Sequence, residues 1–435
     1  MAVTTEQTGK QTRRTRIVTV LLPIISILVL SVGAETLVRV TRPALAVPGR
    51  QGQFRFDQKL TARKPTHVRD AELGWRLEPN QDTGIRTNSR GYRTKEFEDT
   101  KPPQTIRVVF LGDSNPLGFG IEDEDSPYPT RTQQVVDKFF PGVIEENLEV
   151  INLGVDGYSS FQTRRLAEGL LPRISPDVVC IQVGFNDYCY SPSPDGPGSF
   201  RDSRFIELLE RSKFYRWSRR QLMLRLPPRE LVAPVRRVDL DDFENNIRST
   251  IDLARGGGAT VMLVSTPTRP TVPLVTNEVE VHDADGIVWT TQTDWIAGKL
   301  RAKGLDPPHQ PKHPEYRRVV ENVAQTHPNW AMPPYLLAAV HRNAGRTAEA
   351  DDLELLWRSH DSERAVFAEY KGALERVASS TEAIFIDVDA ELEKYRIQTG
   401  AETTPDLFID FVHMDVRGHV LLATAVANEL VRLYK

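Results

Sequence analysis

Five short runs of apolar, β-branched residues punctuate the chain: Ile106 to Leu111, Leu148 to Leu153, Val178 to Val183, Thr260 to Ser265 and Ala383 to Val388. Each is apolar nearly throughout, the pattern of a strand buried on both faces rather than half exposed. Between them the apolar positions recur at helical spacing, as in Asp241 to Ala254 with Phe243, Ile247, Ile251 and Leu253. Alternating β and α units predict an α/β fold with a five-stranded parallel sheet, helices on both faces and right-handed crossovers. Ligands of such sheets bind at the carboxyl ends of the strands.

The pattern also divides the chain. Residues 17–38 form an apolar stretch preceded by Lys10, Arg13, Arg14 and Arg16. Its length predicts a transmembrane helix acting as an uncleaved anchor, with residues 1–16 cytoplasmic and the remainder exported to the periplasm or cell exterior. A cleavable signal peptide is the competing reading, with Val32-Gly33-Ala34 or Ala44-Leu45-Ala46 as cleavage sites. Arg39, Arg42 and Arg50 on the far side weigh against the orientation. Residues 39–66 lack periodicity and read as a linker, and 67–104 as a small turn-rich lobe with aromatic anchors, structural rather than chemical. The sheet domain then occupies 105–267 and 381–435. The interval 268–380 is too long for a plain crossover and is read as a helical insertion. Within it, Tyr335 to Ala350 resembles one tetratricopeptide helix pair turning at Gly345, preceded by a helix-like stretch from Tyr316 to Ala324; one unit makes an inserted hairpin, not an array.

Charge narrows the function. With Lys+Arg 55 against Asp+Glu 59 and a net charge of -4, the chain has no global basic field for phosphate, so nucleic acid is not an expected partner. The exception is local: residues 201–237 hold eleven Lys/Arg against four acids, interleaved with Phe214, Tyr215, Trp217, Leu222 and Met223. A solvated helix face is the plainer reading, an anionic membrane surface or glycan groove the sharper one. Two cysteines, Cys180 and Cys189, imply neither a disulfide framework nor a zinc site, and Cys180 reads as a buried hydrophobe. His309 and His313 lie among prolines and make a poor metal site.

Chemistry gathers after the strands. Gly112-Asp113-Ser114 follows the first, where a glycine permits a tight turn and a serine is presented as a nucleophile. The alternative is that Ser114 merely caps the next helix. Asn152-Leu153-Gly154-Val155-Asp156-Gly157 follows the second strand and Gly184-Phe185-Asn186-Asp187 the third. A glycine N–H and an asparagine amide can hold a developing oxyanion, though each also suits an ordinary turn. Asp410-Phe411-Val412-His413 follows the fifth strand, where Asp410 could orient His413 toward the serine. Asp113 and Asp187 read as structural partners of their turns, and His419 as a core residue.

Together, Gly112-Asp113-Ser114, Gly157, Gly184-x-Asn186-Asp187 and Asp410-x-x-His413 resemble, in order and spacing, the motif blocks of the SGNH (GDSL-type) serine hydrolases. The resemblance implies a flavodoxin-like three-layer α/β/α fold, Ser114 as nucleophile, His413 as general base and Asp410 as its orienter. It further implies oxyanion donors at Ser114, Gly157 and Asn186, and no metal or cofactor. Asn115 and Pro116 depart from the family pattern, in which an apolar residue and then Ser or Thr are common; Pro116 fits a first helical turn. The expected function is hydrolysis of an extracytoplasmic acyl ester, carbohydrate-linked in one version. The alternatives are an O-acyltransferase of envelope polysaccharide and a non-catalytic scaffold with the insertion as a protein-docking element.

Overall fold

The computed structural model describes residues 67–191 and 235–435, with interruptions at 83, 278, 284–285, 306–311 and 402–405, together with 32–37, 40–41, 193–197, 199, 212, 214–215 and 218. Most of the expected linker, of the expected membrane helix and of the basic segment 201–237 lies outside these residues. Among the described residues no helix is long and apolar enough to cross a membrane. By contacts the chain divides into two compact units, Met1–Lys64 with Arg201–Glu230, and Pro65–Phe200 with Leu231–Lys435. In the first, residues 32–37 are helical, and Glu35 accepts hydrogen bonds from Ser212 Oγ at 2.7 Å and Phe214 N–H at 2.8 Å.

The second unit opens with a hairpin, β1 (His67–Asp70) and β2 (Gly74–Leu77). The sheet domain follows as β3 (Thr105–Gly112), α1 (Ser114–Leu117), α2 (Tyr128–Phe139), β4 (Asn147–Asn152), α3 (Ser160–Ile174), β5 (Val178–Gln182), α4 (Phe185–Tyr188), the short pair β6 (Tyr190–Ser191) and β7 (Val235–Arg236), α5 (Leu240–Gly256) and β8 (Thr260–Val264). Then come a second hairpin, β9 (Val279–Asp283) and β10 (Gly286–Thr290), and five helices, α6 (Gln292–Arg301), α7 (Pro314–Thr326), α8 (Met332–Asn343), α9 (Thr347–His360) and α10 (Ser362–Thr381). The chain returns to the sheet as β11 (Ile384–Ile386), α11 (Val388–Thr399) and α12 (Val416–Tyr434).

The main sheet has the order β11-β8-β5-β3-β4 and every pairing is parallel, as the five apolar runs predict. Counting only its strands in chain order, this is the flavodoxin-like order 2-1-3-4-5, whose switch point lies between the first and third strands. Those strands are β3 and β5, so the edge at which such sheets bind their ligands lies where β3 ends. Alternate side chains of β3 feed opposite layers. Ile106, Val108 and Phe110 join Tyr128 and Val136 of α2 and Leu422, Val426 and Leu430 of α12 in one core cluster. Val109 and Leu111, on the other side, are equally sealed from solvent. Each such side chain contributes about 1.5–3 kcal/mol through burial, which fixes the sheet and with it the positions of its carboxyl ends.

The interval before β11 carries the β9–β10 hairpin as well as helices. α8 and α9 turn at Gly345, whose φ is +73°, and Ile296, Leu300, Tyr316, Val320, Val323 and Leu337 form a separate apolar cluster there. His313 caps α7 by accepting from Glu315 N–H at 3.2 Å, and His309 lies outside the described residues. Both thiols are free, Cys180 within the sheet.

Candidate active site

The turn that presents Ser114 is built by sterics. Gly112 has φ +152°, and a Cβ there would lie 2.1 Å from the Gln182 carbonyl oxygen of β5, so no other residue fits. The next residue, Asp113, is the cap of α1: its Oδ1 accepts from Asn115 N–H at 2.9 Å and from the Asn115 amide at 3.2 Å. Ser114 is therefore the first residue of α1 rather than its cap, and its hydroxyl is free of that duty. The two departures from the motif are absorbed locally. Asn115 turns inward onto Asp113, and Pro116 sits in the first turn with its carbonyl accepting from Asn152 Nδ2 at 2.7 Å.

His413 Nε2 lies 2.7 Å from Ser114 Oγ, and His413 Nδ1 lies 2.7 Å from Asp410 Oδ2. The remaining carboxylate oxygen of Asp410 accepts from Val412 N–H at 2.9 Å and His413 N–H at 2.8 Å. Facing a carboxylate, Nδ1 carries the ring proton and leaves Nε2 as acceptor for the serine. The loop holding both residues is closed at its base by a bridge between Phe408 and Met414 and by Ile409 N–H donating to His413 C=O at 2.9 Å. The Phe119 ring rests on the imidazole, centroids 4.5 Å apart. Burial alone would raise the Asp410 pKa. The hydrogen bond and charge of His413, with the two backbone donors, outweigh it and hold the group below the usual carboxylate range.

The three turns at the strand ends are knitted together. Val155 N–H donates to Gly112 C=O at 3.1 Å, and Asn186 Nδ2 donates to Tyr158 C=O at 3.1 Å and to Asp113 Oδ2 at 3.3 Å. Gly157, between Asp156 and Tyr158, has φ +77°, a left-handed turn that glycine takes without strain. Desolvation pushes the Asp113 carboxyl up to about 6 and that of Asp187 up to about 7. Asp187 accepts from Ser160 N–H at 2.8 Å, so both acids serve their turns as read from sequence. His419, 2 % exposed, accepts from Tyr128 N–H at 3.0 Å, and burial pulls its pKa down to about 3.

Three residues that bear on these turns were read from sequence as scaffold or surface. Arg93 is buried: Nη1 donates to Leu117 and Gly118 carbonyls at 3.3 and 3.0 Å, and Nη2 to those of Ile121 and Asp123 at 2.9 and 3.3 Å. It thus holds the end of α1. Arg237, counted in the basic segment, turns inward to the Asp195 carboxylate at 2.7 Å, to Gln162 at 2.9 Å and to the Gly157 carbonyl at 2.8 Å. Trp75 reaches the same turn, its Nε1 donating to Asp156 C=O at 3.0 Å. The aromatic anchors of the small lobe were the available signal for Trp75; nothing distinguishes Arg237 from its basic neighbours in sequence.

The fold and these strand-end motifs define a serine hydrolase of the α/β type. Residues 110–421 match the model of the GDSL-like Lipase/Acylhydrolase family, and the chain belongs to that family: it is a serine enzyme acting on ester bonds. No curated protein is matched. Among solved structures, it is similar to the acetyl xylan esterase AlAXEase (15% identity, TM-score 0.36, covering 75% of this chain and 100% of that one). It is similar also to the acetylxylan esterase Axe2 from Geobacillus stearothermophilus (16%, TM-score 0.36, 75% and 94%). A third is LAE5, an alpha/beta hydrolase enzyme from the metagenome of Lake Arreo (15%, TM-score 0.37, 75% and 96%). Likenesses at these scores carry no substrate with them.

Proposed function

We propose that Ser114, His413 and Asp410 are the catalytic triad of this hydrolase, acting on an extracytoplasmic acyl ester. Ser114 Oγ attacks the ester carbonyl as its proton passes to His413 Nε2. Asp410 keeps the other ring proton on Nδ1 and stabilises the imidazolium. The oxyanion forms against the N–H groups of Ser114 and Gly157 and the amide of Asn186. Of the two bonds that amide makes, the 3.3 Å one to Asp113 is the longer, and it is the one an oxyanion replaces. His413 then gives its proton to the departing alcohol oxygen. Water attacks the acyl-Ser114 carbonyl, losing a proton to His413, and the acid is released. General-base help is worth ~100- to 10,000-fold and one oxyanion donor ~100- to 1,000-fold.

The observation that carries the reading is the unbroken chain from Ser114 Oγ through both imidazole nitrogens to Asp410, 2.7 Å at each link. The basic residues Lys10 to Arg16 before the apolar stretch 17–38 support an anchored enzyme with its site outside the cytoplasm. An O-acyl group on envelope carbohydrate is an ester that such a location offers. The test is hydrolysis of p-nitrophenyl acetate by the full chain and by Ser114→Ala, with acetate release from an acetylated oligosaccharide measured alongside. We expect the variant to lose at least ~10,000-fold in kcat. Equal rates in the two folded proteins would remove the triad; serine-dependent cleavage of the aryl ester without acetate release would remove the carbohydrate substrate alone.

A further inference from the structure

The peptide group joining Asp156 to Gly157 faces two ways. Its N–H is the Gly157 donor of the oxyanion hole in the reading above, and its C=O accepts from Trp75 Nε1 at 3.0 Å. A trans peptide is planar, with C=O and N–H pointing in opposite directions, so whatever fixes the carbonyl fixes the donor. Gly157 makes such fixing necessary, because a glycine at φ +77° gives the turn no side chain with which to resist rotation.

Trp75 is well placed to provide it. Its ring is 7 % exposed and packs edge-on against Tyr158, centroids 5.7 Å apart. Tyr158 Oη donates back to the Trp75 carbonyl at 2.6 Å, closing a ring of two hydrogen bonds around the glycine. His67 Nε2 meets Asp156 Oδ1 at 2.7 Å, so the hairpin touches the turn on both of its strands. On the other side Arg237 holds the following carbonyl, that of Gly157, at 2.8 Å. The glycine's two flanking peptides are thus each tied through oxygen to a side chain from another element.

We propose that Trp75 is a positioning residue for catalysis: its indole N–H sets the direction of the Gly157 N–H, making the N-terminal hairpin a working part of the oxyanion hole. The inference rests on the catalytic reading above. Trp75→Phe keeps an aromatic ring, though a smaller one, and deletes the donor. For p-nitrophenyl acetate we expect kcat to fall roughly 10- to 100-fold, the scale of a misplaced catalytic group, with KM within about two-fold. The rate at which a fluorophosphonate modifies Ser114 should fall in step, because its adduct also sets an oxygen in the hole.

A merely structural tryptophan would lower the melting temperature and leave kcat per folded site where it was, and that result overturns the proposal. If Trp75→Phe does not fold, Tyr158→Phe takes its place. It removes only the bond back to the Trp75 carbonyl, and we expect a smaller loss confined to kcat; an unchanged kcat there overturns the proposal equally. Ser114→Ala keeps the two failures apart. Activity that survives that change sinks the catalytic reading itself, whereas serine-dependent activity indifferent to Trp75→Phe sinks only this inference.

Discussion

Two additions to the same five-stranded sheet are held to it by opposite means. The small lobe has few apolar residues to bury, Trp75, Leu77 and Phe97 among them, and is fastened by polar bonds. These are Trp75 and His67 to Asp156, Tyr158 to Trp75, and Arg93 to four carbonyls at and beyond the end of α1. The insertion between β8 and β11 has a core of its own around Leu300, Tyr316 and Val320. It meets the site's elements through α10, where Phe367 packs on Phe185 and Glu363 accepts from the Tyr188 hydroxyl, and at its start, where Arg269 N–H donates to Phe411 C=O at 2.8 Å. A segment of fewer than about forty residues seldom holds itself folded, so the lobe's order depends on the turns it grips. By the reciprocity of coupling, those turns depend equally on the lobe. The insertion owes them much less.

The contrast can be broken most sharply at Arg93. Arg93→Met removes the guanidinium that four carbonyls share, those of Gly118 and Asp123 keeping a backbone N–H, and we expect a stability loss of about 3–5 kcal/mol, as when one partner of a buried charged network is removed. It should be accompanied by about a 100-fold fall in kcat because the end of α1 is released. Urea denaturation and steady-state kinetics on the same preparation check both. A loss of stability without a loss of kcat would show the lobe to be no more coupled to the site than the insertion is.

Leu300→Ala probes the other region. Removing a fully buried leucine side chain should cost about 2–5 kcal/mol, seen in a melting curve, with kcat within two-fold of the parent at a temperature where the chain stays folded. A large kcat effect would mean that the insertion, too, is wired into the chemistry.

The third expectation concerns a group in neither region and sharpens any comparison made by varying pH. His419 is buried neutral, with its pKa pulled from 6.5 to about 3. Below 6.5 the unfolded chain takes up a proton that the folded chain refuses, so this stability is present above 6.5 and lost as pH falls toward 3. Asp113 and Asp187 work in the other direction. Their folded pKa values lie above the unfolded one, so the native state gains stability as pH falls through about 7 to 4. The readout is therefore the difference between the parent and His419→Gln. Between pH 7 and 5 the parent should lose about 2 kcal/mol relative to the variant. Parallel stability curves would contradict the neutral, buried assignment.

The strands were legible because a parallel sheet covered on both faces leaves an uninterrupted apolar run. The read run 106–111 became Thr105–Gly112, and the read run 178–183 became Val178–Gln182. The Ser114 and Asn186 motifs stood out because each directly follows one of those runs; Asp410 to His413 lies beyond α11, well past β11, and was read from its Asp-x-x-His spacing. Arg237 was not: eleven basic residues lie in its segment, and only its tertiary partners Asp195, Gln162 and Gly157 distinguish it. Trp75 looked like a hydrophobic anchor, and half of that reading holds; its ring does pack, but the atom that matters to the site is the one polar atom of the side chain. The β9–β10 hairpin went unread although Val279-Glu280-Val281 alternates and Asp285-Gly286 is a turn pair, because two five-residue strands give too short an alternation to stand out among helices.

Asp113 caps α1, and the neighbouring serine does not. With Ser114 as the proposed nucleophile, chemistry and architecture fall to adjacent side chains, so Ser114→Ala should silence the enzyme without disturbing what starts the helix. A chain so altered would still present its turns, its imidazole and its amide donors to an ester, and would hold it uncleaved. That makes the inert chain a natural bait: passed over extracts of the cells that make it, it could retain and reveal the molecule on which the active enzyme works.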